Sequence, residues 1–421
     1  MAKPFKYAAK NETQVYESVS NNKGVKIINR LLMGTYVGIS EEAEDFVKVV
    51  TAGPDGWMKK SDLTDDMGLK VFYLDVGQGD GVLIEIGNLR ILIDGGPGNH
   101  MHGYLTKWQY TYLLRYKQPV HIDYVFISHF DTDHYKGLIK VLDNPLFTFG
   151  TIYHAGILKF AAKNNPYNTG LGDVIKVDKQ KYLTGIFDDL LTLESEAAYN
   201  RDVNLFMKAL LKAHDENRVA RVQRVKSGDV PVSQSIEGKS FKIEVLAPFT
   251  EKVNNKEAFM YWSDEGKTIN GHSLVLKLTF GERTMMFSGD LNEKSEEYLM
   301  EKYPDAHPFE VDVAKACHHG SSDFSVQFMQ KVNPYATVIS SGDNEGFSHP
   351  RAEALGCAGK YTRGERPLVY STELARSVNS RSNKVLFGMI NLRCNGNEIH
   401  ISQMKEVKTP SDIWDSYKLE S

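Results

Sequence analysis

The run Ser128-His129-Phe130-Asp131-Thr132-Asp133-His134 sets two imidazoles and two carboxylates within six residues. Groups this crowded repel one another or compete for protons unless a cation holds them. A polar loop capping a helix would account for Asp131 or Asp133, but not for both histidines. The run therefore reads as half of a dinuclear metal site, with His129, Asp131, Asp133 and His134 as ligands. Complementary groups occur in Ser288-Gly289-Asp290, His318-His319-Gly320-Ser321-Ser322 and Ser348-His349-Pro350. A carboxylate at Asp290 is suited to bridge two cations. Adjacent histidines on an extended backbone point to opposite sides, so only one of His318 and His319 is expected to bind metal directly. Two ions about 3.5–4 Å apart would bring the pKa of a shared water to around 7 and neutralise charge on a phosphoryl oxygen. The same hydroxide would attack an ester or amide carbonyl. An oxygen-rich ligand set, the hydroxyls of Ser321 and Ser322, and basic residues such as Arg376 lean toward phosphate.

Apolar strands must deliver these groups. Tyr124-Val125-Phe126-Ile127 is an uninterrupted apolar run, as in a strand buried on both faces, and Leu138, Ile139, Val141 and Leu142 follow at helical spacing. The ligand run thus sits where a strand's carboxyl end turns into a helix, the place where open α/β sheets put their chemistry. Thr284–Phe287 leads to Asp290, Val311–Cys317 to the histidine pair, and Ala336–Ser341 to His349. Upstream, strands are expected over Val71–Val76, Val82–Ile86 and Arg90–Asp94. The Gly77-Gln78-Gly79 turn between the first two joins strand to strand with no helix after it, which rules out a dinucleotide fingerprint. Asp94 could reach the metal or brace the neighbouring loop, and bracing is the preferred reading.

The chain has 421 residues, 41% apolar and 25% charged, with a formal net charge of −4. That charge supplies no global basic field for nonspecific nucleic-acid binding, although a local basic groove remains open. Cys317, Cys357 and Cys394 form no paired framework, which suits a reducing compartment. No run approaches membrane-spanning length, so a cytoplasmic protein without a membrane partner is expected. Residues 13 to 65 read as a small all-β unit, with β-branched runs at Val25–Ile28, Gly34–Ile39 and Phe46–Val50. Between about 150 and 235 an insertion carries an amphipathic helix with Leu205, Phe206, Ala209, Leu210 and Ala213 on one face. It also carries Arg218, Arg221, Arg224 and Lys226, either phosphate contacts or the solvated side of a strand.

Phe72-Tyr73-Leu74-Asp75-Val76-Gly77-Gln78-Gly79-Asp80, Leu92-Ile93-Asp94-Gly95-Gly96 and the His-x-Asp-x-Asp-His run resemble the metallo-β-lactamase superfamily. Within it they resemble the branch that includes the soluble domain of the competence protein ComEC. The likeness continues through Asn270-Gly271-His272-Ser273, Phe287-Ser288-Gly289-Asp290, His318-His319-Gly320-Ser321 and His349-Pro350. It implies an α/β fold, an αβ/βα sandwich with a metal site at one edge, over residues 67–403. Residues 1–66 resemble a bacterial SH3-like barrel ending in Gly56-Trp57, which implies a peptide or protein partner. Residues 404–421 are expected to be a tail. By motif position the resemblance makes Asp290 the bridging ligand and His318 a ligand, leaving His319 to orient substrate or donate a proton. His349 becomes a general acid or phosphate contact, with direct ligation as the alternative, Asp133 a catalytic as well as a metal residue, and Asn270 a substrate contact, although either Asn270 or His272 could face the metal. Asp131 stands where many members have histidine. Harder ligands shift preference from zinc toward manganese, so two divalent cations are expected, manganese ahead of zinc. The expected activity is phosphodiester hydrolysis, with DNA as substrate by analogy. The rivals are hydrolysis of a small phosphodiester, such as a cyclic nucleotide or phosphocholine ester, and a scaffold protein with a vestigial site.

Overall fold

The computed structural model describes residues 4–19, 25–163, 165–193, 198–304, 308–342, 346–373, 389–404 and 414–419. Two large sheets dominate it. The first has nine strands, in the order 219–224, 147–154, 120–127, 89–93, 82–86, 69–73, 390–394, 399–404 and 414–418. The second has seven, in the order 232–236, 239–247, 275–280, 283–287, 313–315, 336–339 and 368–371. Their inner faces meet in one core, where Val71, Ile84 and Ile91 pack with Ile243, Leu276, Leu278 and Met285. The first sheet's outer face packs Val125 and Phe149 with the helical residues Leu138, Val141, Phe206 and Leu210. The second sheet's outer face packs Val275 and Met286 with Leu299 and Phe328 of the Glu293–Lys302 and Val326–Val332 helices. The result is an αβ/βα sandwich. Both faces of each sheet are covered, which is why the central strands are mostly apolar on both sides.

Strand Val120–Ile127 runs parallel to Leu89–Ile93 and to Phe147–His154. Arg283–Phe287, Val313–Lys315, Ala336–Ile339 and Leu368–Ser371 likewise run parallel. Parallel strands present their carboxyl ends together, so loops far apart in sequence converge on one edge. The stretch expected as a tail adds instead an edge strand: Trp414–Lys418 pairs antiparallel with Ile399–Met404.

The all-β unit is a seven-stranded sheet built from residues between Phe5 and Thr64, with Ala8, Val15, Val37, Val49 and Met58 in its core. The Arg393 guanidinium donates to Met33 O at 3.4 Å, and Lys239 pairs with Asp66 at 2.5 Å, tying it to the sandwich. In the insertion, helix Arg201–Asp215 buries Phe206, Ala209, Leu210 and Ala213 as the periodicity requires, but Leu205 is largely exposed. Leu205 lies one position off the stripe, and Val203 and Met207 complete the buried face. Three of the four residues of the basic run are engaged within the fold, and Arg221 is exposed. Buried Arg218 donates to Leu142 O and Phe147 O, Arg224 pairs with Asp188 and Glu257, and Lys226 pairs with Glu257.

Candidate metal centre

At the shared edge, Asp133, His134, Asp290 and His319 bring one ligand atom each into a mutual cluster. His134 Nε2 lies 3.2 Å and His319 Nε2 3.1 Å from the same Asp290 Oδ2, and His319 Nε2 is 3.4 Å from Asp133 Oδ2. Both imidazoles are buried, and neither Nε2 has a hydrogen-bond partner among the described residues. Their other nitrogens are engaged. His134 Nδ1 donates to Asp94 Oδ2 at 3.0 Å, and His319 Nδ1 donates to Ser340 O at 2.9 Å. Each ring therefore turns a lone pair toward Asp290 in its neutral form, the orientation that metal-ligating histidines adopt through such partners. Two orphaned nitrogens around one carboxylate oxygen fit a divalent cation.

Electrostatics point the same way. Burial disfavours a charged His134, yet Asp290, Asp133 and Asp94 outweigh it and hold its pKa well above the ordinary value. His319 is likewise disfavoured by burial and raised overall, by Asp290, Asp133 and Asp80. Burial pushes the Asp290 carboxyl up, but His134, His319 and His318 bring it well below the carboxylate range. The pocket demands positive charge, and without a metal ion protons supply it.

Behind the ligands runs a buried polar layer. Asp94 accepts from Ser128 N at 2.8 Å and from His134, so it braces the ligand loop, as expected from sequence. Lys315, in the otherwise apolar strand Val313–Lys315, pairs with Asp80 at 2.5 Å, donates to Gly289 O at 3.0 Å and lies 3.8 Å from Asp290. Gly79, at φ +137°, lets its loop approach Asp133; a Cβ there would meet Asp133 O at 2.1 Å. The Gly-x-Gly turn thus serves close backbone approach rather than a nucleotide. Sequence reasoning gave no role to Asp80 or Lys315. A lysine inside a buried strand was the available signal.

The histidine pair is arranged in the opposite sense to the sequence expectation: His319 enters the cluster, and His318 stands at its mouth. Both residues have left-handed backbone, φ 47° and 55°, so the alternation that applies to an extended chain does not hold. The His318 side chain is 26% exposed, with Nε2 3.8 Å from Asp290 Oδ2 and 3.5 Å from Asn270 Nδ2. His349 adjoins it, ring centroids 5.8 Å apart, and its Nδ1 lies 3.1 Å from Gln78 Nε2. Asn270 faces this mouth. His272 does not: it donates to Met260 O at 2.8 Å and stacks on Trp262, and burial lowers its pKa to about 4. Ser321 accepts from Asp323 N at 3.2 Å, and Ser322 is exposed. Arg376 lies outside the described residues.

The ligand run itself divides. His129 packs its ring on His134, centroids 4.1 Å apart, with Nδ1 3.1 Å from Ser128 Oγ and 3.2 Å from Ser273 Oγ. Asp131 is paired with Lys159. Neither joins a set of three or more close ligand atoms among the described residues.

The profile of the Metallo-beta-lactamase superfamily matches residues 74–178. The chain is similar to ComE operon protein 3 of Bacillus subtilis (strain 168), 30% identical over 147 residues, which are 35% of this chain and 16% of that protein. It is also similar to Competence protein ComA of Neisseria gonorrhoeae, 38% identical over 82 residues, 19% of this chain and 12% of that protein. The matched stretches therefore span less than a fifth of either relative's length. Among solved structures, the metallo-beta-lactamase fold protein YhfI from Bacillus subtilis aligns at 14% identity with a TM-score of 0.35, over 72% of this chain and 96% of that one. No helix among the described residues is long and apolar enough to cross a membrane. With the matched profile on the first sheet and its ligand loop, and two covered sheets meeting at a histidine and aspartate cluster, the chain carries the metallo-β-lactamase fold.

Proposed function

We propose that the protein is a metal-dependent phosphodiester hydrolase acting on DNA. The observation that carries this reading is the set of half-buried Asp133 with buried His134, Asp290 and His319, edged by two further histidines that have no place in it. A divalent cation held there would supply Lewis acidity, lowering the pKa of a water and neutralising charge on a phosphoryl oxygen. The chain's own groups do the rest. Asp94 and the Ser340 carbonyl fix the tautomers of His134 and His319. The Gln78 amide donates to His349 Nδ1, which leaves the His349 proton on Nε2. In the proposed reaction that proton passes to the leaving alkoxide, the general-acid role. His318 and Asn270 line the same mouth and are placed to contact a substrate's non-bridging oxygens. The sequence likeness to competence proteins favours DNA over a small diester.

Circular single-stranded DNA, linear DNA and cyclic mononucleotides, each incubated with manganese or zinc, test the proposal. Cleavage of the DNA substrates, lost in Asp133→Ala, is the expected result. Cleavage of the cyclic nucleotide alone would replace DNA with a small diester. Inertness toward all of them would remove the hydrolase reading.

A further inference from the structure

Ligands lie about 2.0–2.3 Å from a zinc-sized ion, so two ligands of one ion lie within roughly 4.6 Å of each other. Among the described residues, the sets of three or more side chains that meet such a limit are Asp133-His134-Asp290-His319 and Asp80-Asp94-His134. The second uses groups already spent, because Asp94 accepts from His134 and Asp80 pairs with Lys315. Among the described residues, no third histidine, cysteine or carboxylate atom comes within that limit of His129 and Asp131. The Lys159 ammonium sits on Asp131 Oδ1 there.

Lys159 is not a loose surface lysine. Its neighbours Leu158 and Phe160 are buried, and its own carbonyl accepts from Asn200 N at 3.1 Å. Phe160 N donates to Gly170 O at 2.7 Å, and the Phe160 ring is held against Tyr167 and Tyr199. The backbone is thus clamped on both sides of the residue, and the side chain is only 29% exposed. A fixed ammonium against Asp131 repels any dication brought to the same carboxylate, while supplying one positive charge of its own beside the cluster.

We propose that the centre holds one divalent ion, on Asp133, His134, Asp290 and His319, and that Lys159 occupies the place of a second. This rests on the metal reading above but not on the DNA substrate. The test is stoichiometry: ions per chain after gel filtration, by elemental analysis and native mass spectrometry, in manganese and separately in zinc. The wild type is expected to retain one ion, and two would overturn the proposal. Asp131→Asn is expected still to retain one; loss of that ion would make Asp131 a ligand and overturn it as well. Lys159→Met is expected to gain a second, weaker site in a calorimetric titration, whereas Lys159→Arg keeps a single one. A Lys159→Met titration indistinguishable from the wild type would refute the role given to the ammonium. One ion in a chain that cleaves no phosphodiester would leave this inference standing and remove the proposed activity. A chain that binds none would remove both.

Discussion

Asp94 touches no substrate in this arrangement, yet it decides how His134 presents itself. Its Oδ2 takes the Nδ1 proton, and its Oδ1 holds the Ser128 backbone at the start of the ligand loop. Asp94→Asn would leave the ring free to take the other tautomer, and a loss of about 10–100-fold in metal affinity is expected. Competition against a chromogenic chelator measures it; unchanged affinity would assign the orienting role elsewhere. The pH dependence has a definite sign. His134 and His319 have raised pKa values in the metal-free chain, so an incoming ion must displace protons from both. Apparent metal affinity is therefore expected to rise with pH through neutrality, with proton release seen calorimetrically in buffers of different ionisation enthalpy. At this scale the sequence was most legible. Four clustered ligand-type residues and a distant aspartate could be named, but not which of His318 and His319 turns inward.

The histidine pair shows why elements matter. Residues 317–320 form a tight turn with left-handed backbone at both histidines, and side-chain alternation assumes extended backbone. That turn leaves the parallel strand Val313–Lys315 beside the Glu293–Lys302 helix, where Glu296 is fully buried and accepts from Ser325 N at 2.5 Å. Burial pushes the Glu296 carboxyl up to about 8. The folded chain therefore binds more protons than the unfolded one between about pH 4.3 and that value. Stability from this group is complete below the unfolded pKa and falls as pH rises through the window. Glu296→Gln is expected to match the wild type at pH 4.5 and to exceed it by about 5 kcal/mol at pH 8.5. Urea denaturation at the two pH values checks this, and equal midpoints at pH 8.5 would contradict it. Between the sheets, fully buried Leu276 makes a simpler case. Leu276→Ala is expected to cost about 2–5 kcal/mol in the same assay.

Across the whole molecule, the acidic cluster sits where the two sheets meet, so its charge state bears on how the halves hold together. Asp290 arrives from the second sheet and His134 from the first, and they meet at 3.2 Å. An ion bound between them stabilises only the assembled sandwich. Metal at 100 times its dissociation constant is expected to add about 2.7 kcal/mol. Scanning calorimetry with manganese and with excess chelator reads this as a higher melting temperature in the ion; coincident transitions would mean that no ion links the halves. The N-terminal sheet is attached through Arg393 and Lys239, charged groups from both large sheets.

Apolar runs buried on both faces, and ligand-type residues at their carboxyl ends, were written in the order of residues. Period and residue order therefore pointed to covered sheets with ligand-type residues gathered at one edge. Three-dimensional convergence decided the rest. The pairing of Lys159 with Asp131, the inward turn of His319 to Asp290 and the ion pair of Arg224 with Glu257 all join residues far apart in the chain. No local pattern encodes such pairings, because they depend on which strand ends the parallel sheets bring side by side.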